Sequence, residues 1–265
     1  MPAPALIDHV PGESLLWKYR SARDAMQRER VRDILVNHRL YCASPQDLND
    51  PFECVAKFSF QATEEQKMQR AIARIQKENP EMLIEDARAQ APQRCRILEE
   101  SGVKNMKKWI FNSIGFISFG GMRDNLLMWS HYADAHAGIC IEFGASRLEH
   151  SQFFGNAMQV EYRDELPVVN VYKDDLIEQA RAHIATKSKH WEYEKEWRII
   201  VKDRIASSYY HFPADIISAI YLGCRATDET RNFVKECIEQ RSVSIPLYQA
   251  KPSDSAYGLE FDRIS

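Results

Sequence analysis

With 265 residues, 45% of them hydrophobic and 28% charged, the chain has the make-up of an ordinary soluble globular protein with enough length to bury a sizeable core. A formal net charge of −3 argues against a protein whose main task is to hold nucleic acid by its phosphates, and leaves room only for a local basic groove. Six scattered cysteines with no Cys-x-x-Cys pair, an amino terminus without a signal-peptide pattern, and no window near the roughly 18 apolar residues of a membrane span predict a cytoplasmic chain that needs neither disulfides nor zinc.

After a Pro-containing leader, Leu15 to Arg20 reads as a short strand with Trp17 and Tyr19 on one face, and Ser21 is placed to cap a helix over Ala22 to Asn37. Leu40 to Ala43 is a second short strand. Ser44 to Pro51 is dense in turn formers, and Asn49 and Asp50 either shape the turn through their own backbone or face a ligand. From Thr63 to about Asn112 the pattern is helical and highly charged, with Met68, Ile72 and Ile75 on one face and with Pro80 and Pro92 as expected breaks. Mixed charge there predicts a solvated face.

Ile114 to Phe119 resumes strand character, and Gly120-Gly121 ends it. The stretch Asn125 to Phe143 packs Trp129, His131 and Tyr132 behind an apolar Leu126-Leu127-Met128 run, and Gly138 then opens a strand of alternating Ile139, Ile141 and Phe143. A helix or tight turn feeding a strand would gather those rings at one strand end; the competing reading is that Trp129 and His131 simply fill a core. Met158 to Tyr162 reads as a strand, Asp174 to Lys189 as an amphipathic helix, and Glu196 to Val201 as a strand ending in an apolar run. Ile216 to Leu222 is a strand, Asp228 to Arg241 a helix capped by Thr227, and Ser244 to Gln249 a late strand. Strands interrupted by uneven helical stretches, without regular βαβ alternation, predict an α+β fold. The expectation is a single domain over residues 1–265, with a mixed or antiparallel sheet core and a charged helical insert at about 61–112.

Glu194 and Glu196 lie two apart, so on a strand they share a face, and the crowding suits either a carboxyl of raised pKa for acid or base work or a single ionised one that stabilises a developing cation. The competing reading pairs Glu196 with Arg198 or Lys195. Arg20 offers a fork for phosphate or carboxylate, and Tyr19, Trp129 and Tyr132 offer flat surfaces for a purine or nicotinamide ring. No Gly-x-Gly-x-x-Gly, Gly-x-x-x-x-Gly-Lys-Ser/Thr, Gly-x-Ser-x-Gly or His-Glu-x-x-His occurs, so the dinucleotide-fold, P-loop, hydrolase-elbow and zincin readings lack their physical basis. His131 and His136, five apart, make no strong metal signal.

Four blocks, Leu16 to Ser21, Leu40 to Glu53, Met128 to Phe143 and Trp191 to Arg198, together resemble the bacterial family called domain of unknown function 2971. They stand in the expected order over nearly the whole chain, the helical insert excepted. A further likeness is to ADP-ribosyltransferases, which carry an Arg or His on an early strand, a Ser or Tyr on a middle strand and a catalytic Glu near a late strand, often as Glu-x-Glu. That likeness implies Arg20 at the phosphates or ribose of NAD, Ser118 on the middle strand, Glu196 at the nicotinamide ribose and Glu194 orienting an acceptor. The middle strand, Phe-Ile-Ser-Phe, departs from the Ser-Thr-Ser run of the arginine-modifying enzymes.

The leading expectation is a cytoplasmic pocket of Arg20, Trp129, His131, Tyr132 and Glu196, with Tyr19, Ser118 and Glu194 beside it. It would bind NAD as a substrate and transfer or hydrolyse its ADP-ribose, with a protein acceptor or partner. The bacterial distribution of the family suggests stress response or phage defence. The rivals are a noncatalytic ligand-sensing or protein-binding module, and a hydrolase or metal-dependent nuclease built on His131 and the carboxylates.

Overall fold

The structure, a computed structural model, describes residues 15–144, 157–202 and 209–265; the Pro-containing leader lies outside the described residues. In chain order, β1 (Leu15–Arg20) leads to α1 (Ala25–Leu35) and β2 (Arg39–Tyr41). Next come β3 (Lys57–Ser59), α2 (Glu64–Glu78), α3 (Ile84–Ile97), a π-helical turn (Leu98–Gly102) and α4 (Val103–Ser113). Then follow β4 (Ile114–Phe119), α5 (Leu126–Tyr132), β5 (Ile139–Gly144), β6 (Ala157–Gln159), β7 (Glu161–Arg163) and β8 (Val168–Asn170). The rest runs α6 (Leu176–Ile184), β9 (Thr186–Ser188), a 3-10 turn (Lys189–Glu194), β10 (Trp197–Lys202), β11 (Tyr209–His211), β12 (Ile217–Leu222), α7 (Asp228–Glu239), β13 (Leu247–Pro252) and β14 (Leu259–Arg263). Helices stand beside sheets of mixed and antiparallel strands, an α+β fold.

Two compact units emerge: Met1–Ala43 with Gly115–Val160 and His190–Ser265, and Ser44–Ile114 with Glu161–Lys189. The first unit carries a five-stranded sheet in the order β1-β5-β12-β13-β14. Its pairs are antiparallel except β12 with β13, which α7 connects as a βαβ crossover. One face holds Leu16, Ile139, Ile141, Phe143, Ile220 and Leu222 against Val31, Ile34 and Leu35 of α1, Phe233 and Val234 of α7, and Ile117, Phe119 and Ile199. Full burial of each such side chain contributes roughly 1.5–3 kcal/mol. A second sheet, β4-β10-β6, contacts the first where Trp17 and Gly120 exchange backbone hydrogen bonds of 3.0 and 2.7 Å.

In the second unit α2 and α3 close on Ala71, Ile75, Ala87 and Ala91, flanked by Met68 and Ile72. Asp50 forms the expected local turn, its carboxylate accepting from the Phe52 N–H at 2.9 Å. A buried ion pair, Lys187 to Glu53 at 3.3 Å, joins the turn after β2 to β9.

Several local expectations change. The cap of α1 is Asp24, whose side chain accepts from the Gln27 N–H, while Ser21 takes the Arg23 N–H, so the helix starts at Ala25. Pro92 lies inside α3 on an exposed position, so the helix runs through the expected break although the ring removes one backbone N–H. The helix expected to reach Lys189 stops at Ile184, where Thr186–Ser188 pairs with β7 instead. The strand β14, alternating as Leu-Glu-Phe-Asp-Arg, was not foreseen and pairs antiparallel with β13.

Candidate functional site

Strand alternation sorts the residues of β1. Trp17 and Tyr19 face one side of the sheet, Leu16, Lys18 and Arg20 the other. On the aromatic side, Tyr19 and Trp129 meet edge to face at 5.3 Å, in a cluster with Met128, Ala133, Cys140, Ala219 and Tyr221. Trp17, Tyr132, Tyr193, Tyr248 and Phe261 form its half-buried rim. Trp129 is fully buried and donates through Nε1 to the Arg123 carbonyl at 2.7 Å, so it supports the cluster from within. Tyr19 is likewise buried, its hydroxyl donating to the Met122 carbonyl at 2.5 Å.

The Glu194–Glu196 pair departs from the expected strand geometry. Glu194 ends a 3-10 turn, Lys195 adopts a left-handed backbone with φ of 46°, and β10 begins only at Trp197. Strand alternation therefore never applies to the two carboxylates, and they go to different places. Glu194 is buried and accepts from the Tyr132 hydroxyl at 2.6 Å, joining α5 to the turn before β10 across 62 residues. Glu196 is buried in a two-point ion pair with Arg198, at 2.7 and 2.9 Å, and the guanidinium lies over the Phe116 ring.

Around Glu194 gather rings that solvent reaches. His131 is exposed and lies 6.3 Å from the Tyr132 ring and 6.1 Å from the Tyr193 ring, with Trp191 6.1 Å beyond Tyr193. Asn125 fixes this arrangement twice: its oxygen caps α5 through the Leu127 and Met128 N–H groups, and its nitrogen donates to the Tyr193 carbonyl at 2.5 Å. The Gly121 N–H to the Glu194 carbonyl, 3.3 Å, pins the turn to the end of β4.

Between α5 and β5 the backbone is left-handed at three successive residues, Asp134, Ala135 and His136, with φ of 51°, 48° and 70°. For residues with a Cβ this stores strain of order 1–3 kcal/mol each, which only surrounding contacts can hold. They do so here: the His136 ring stacks on Trp129 at 11° between planes, and the His136 carbonyl accepts from the Arg225 N–H at 3.0 Å. Gly223 permits that approach, since a Cβ there would stand 2.0 Å from the His136 carbonyl oxygen. Burial, and then Arg225, hold the His136 imidazole below its ordinary pKa.

The remaining expected residues lie on the other face of β1. Lys18 is buried, donates to the Ser118 carbonyl at 2.6 Å and sits over the Phe119 ring. Ser118 thus meets this cluster through its backbone. Burial, then Arg20, push the Lys18 ammonium well below its usual pKa, while Glu196 pulls it back up. Arg20 is half-buried and donates to its own Tyr19 carbonyl; burial, then Arg30, lower its pKa to about 10. The structure therefore brings His131, Tyr132 and Glu194 together at one surface, and joins Lys18, Arg20 and Glu196 electrostatically behind it. Among the described residues no group of three His, Cys, Asp or Glu side chains stands together as a metal site.

Sequence reasoning passed over Lys18, Tyr193 and Glu142. Lys18 could have been found from alternation, since it breaks an apolar face of β1. Glu142 reads as the polar member of a half-buried strand, and only the tertiary fold shows it buried.

The family model described as protein of unknown function (DUF2971) matches residues 128–199. That span holds both partners of the Tyr132–Glu194 contact, and four of the six left-handed non-glycine residues among those described fall inside it. The blocks before Met128 lie outside the match. No curated protein and no solved structure matches the chain. No helix among the described residues is long and apolar enough to cross a membrane. The chain resembles this family of unknown function through the segment that builds the ring-lined carboxylate surface.

Proposed function

We propose that the surface of His131, Tyr132, Tyr193 and Glu194 binds a nicotinamide-type nucleotide, NAD or its ADP-ribose part, and serves the transfer or hydrolysis of ADP-ribose. The carrying observation is the 2.6 Å Tyr132–Glu194 contact, which sets a buried carboxylate beneath a set of partly exposed rings. Rings of this kind suit a flat heterocycle, and a fixed carboxylate suits a cation that develops next to it.

In the reaction the N-glycosidic bond breaks, its electron pair goes to the nicotinamide nitrogen, and the ribose carbon is left cationic. Glu194, oriented by a neutral hydroxyl, would stabilise that carbon until water or an acceptor oxygen adds and loses its proton. Glu196, held by Arg198, would keep the turn in place, and Arg20 would supply positive potential for phosphate. The surface would work in the cytoplasm, on a protein acceptor or on water.

Local backbone strain supports a functional surface, because strained residues cluster where function over-determines the fold. A noncatalytic sensing or protein-binding module draws instead on Met122, Leu126 and Leu127, exposed apolar side chains at and before the start of α5. Calorimetry and thermal shift with NAD, ADP-ribose and nicotinamide, on wild type and Glu194→Gln, decide between them. The proposal expects stabilisation by ADP-ribose and nicotinamide release that Glu194→Gln abolishes while binding persists. If none of the three ligands binds, the nucleotide reading is lost.

A further inference from the structure

Glu142, in the middle of β5, is buried and accepts three hydrogen bonds from neutral donors: Ser218 Oγ at 2.8 Å, Tyr221 Oη at 2.7 Å and Trp17 Nε1 at 3.3 Å. The strand register slips between Ile217 and Ala219, and this irregularity turns Ser218 toward the carboxylate. No cation bonds Glu142 directly among the described residues. The nearest step toward one is Arg123, whose Nη1 donates to the Tyr221 hydroxyl at 3.0 Å.

Arg123 is held rather than loose. Its guanidinium lies 5.3 Å over the Tyr221 ring and 5.3 Å over the Phe261 ring. Two buried aromatic side chains grip its loop at successive carbonyls, Tyr19 at Met122 and Trp129 at Arg123 itself. Yet Arg123 is exposed, and among the described residues it makes no ion pair, not even with neighbouring Asp124. A guanidinium has five N–H donors, and only one is engaged here.

We infer that Arg123, stacked on Tyr221 and Phe261, is the anion-binding residue of a site for a phosphate-bearing small molecule. A planar fork fixed on its rings and presenting its remaining N–H groups to solvent is already ordered for a multi-oxygen anion, so little side-chain freedom is lost on binding. Glu142 lies one hydroxyl behind the fork and opposes every anion, but from farther away than Arg123 attracts it. The net attraction then scales with ligand charge, which favours a dianionic phosphate over a single carboxylate. The inference stands on this geometry alone and does not require the nicotinamide reading.

The test is calorimetry at low ionic strength with pyrophosphate, ADP and acetate, on wild type, Arg123→Ala, Arg123→Lys and Glu142→Gln. Pyrophosphate and ADP are expected to bind saturably and acetate far more weakly. Arg123→Ala should weaken binding at least tenfold, Arg123→Lys should fall between, because charge remains without the stacked fork, and Glu142→Gln should tighten binding several-fold. A purely structural Arg123 predicts the opposite of the last result, since losing the carboxylate then only loosens the fold. Should Arg123→Ala fail to fold, Arg123→Lys and Tyr221→Phe, which keep the side-chain bulk, carry the comparison. No response of wild type to pyrophosphate and ADP, or equal binding by folded Arg123 variants, overturns the inference. Pyrophosphate binding without any NAD response would leave it standing and sink the nicotinamide reading, whereas NAD binding without any response to pyrophosphate or ADP would do the reverse.

Discussion

The surroundings of Glu194 and of Glu196, two residues apart in sequence, could hardly differ more. Glu196 meets a fully buried guanidinium at two points, so its charge is matched on the spot. Glu194 meets a neutral phenol beneath half-buried rings. The first contact neutralises charge where it arises, whereas the second ties α5 to the turn before β10. Glu142 contrasts with Glu196 in having only neutral donors in direct contact among the described residues.

The largest expected effect tests the structural side. Arg198→Ala leaves Glu196 buried without its partner and should cost about 3–5 kcal/mol in urea unfolding. A loss below about 1 kcal/mol would mean that the pair is incidental. Next comes the scaffold of the ring surface: Gly223→Ala drives a methyl into the His136 carbonyl and should cost about 1–3 kcal/mol, with α5 displaced and ligand response weakened together.

Lys18 sharpens the comparison by pH. Because burial depresses its folded pKa, the unfolded chain takes up the proton first as pH falls from about 10.4, so the wild type loses stability on the way down to neutral pH. Lys18→Met should therefore be the more stable chain at pH 7, by about 1 kcal/mol or more, and the gap should close as pH rises toward 10. A gap independent of pH would show that Lys18 stays charged in the fold. The smallest stability change belongs to Tyr132→Phe, about 1 kcal/mol or less, yet it should reduce ADP-ribose response more than Arg198→Met does in any variant that still folds. Equal responses would erase the distinction between the two carboxylates.

Much of the fold was legible because it depends on local pattern. The strand β1, the Thr227 cap, whose side chain accepts from the Thr230 N–H, and the apolar stripe of α2 follow from alternation, capping chemistry and helical spacing. The ring surface was half legible: His131 and Tyr132 were singled out on a helix or turn feeding a strand, as α5 feeds β5, but Glu194 by a strand geometry that the left-handed Lys195 removes. Arg123 carried no pattern at all, lying in a loop whose course is set by Tyr19 and Trp129 from other elements.

By itself the sequence determined the α+β class, most element positions and the chemistry of the side chains on offer, since propensity and periodicity act over a few neighbouring residues. Which carboxylate meets the Arg198 guanidinium and which the Tyr132 hydroxyl was decided only by the tertiary structure. One positive φ turns neighbouring side chains apart, and hydrogen bonds spanning 62 residues for Tyr132–Glu194 and 79 for Tyr221–Glu142 then fix what each one faces.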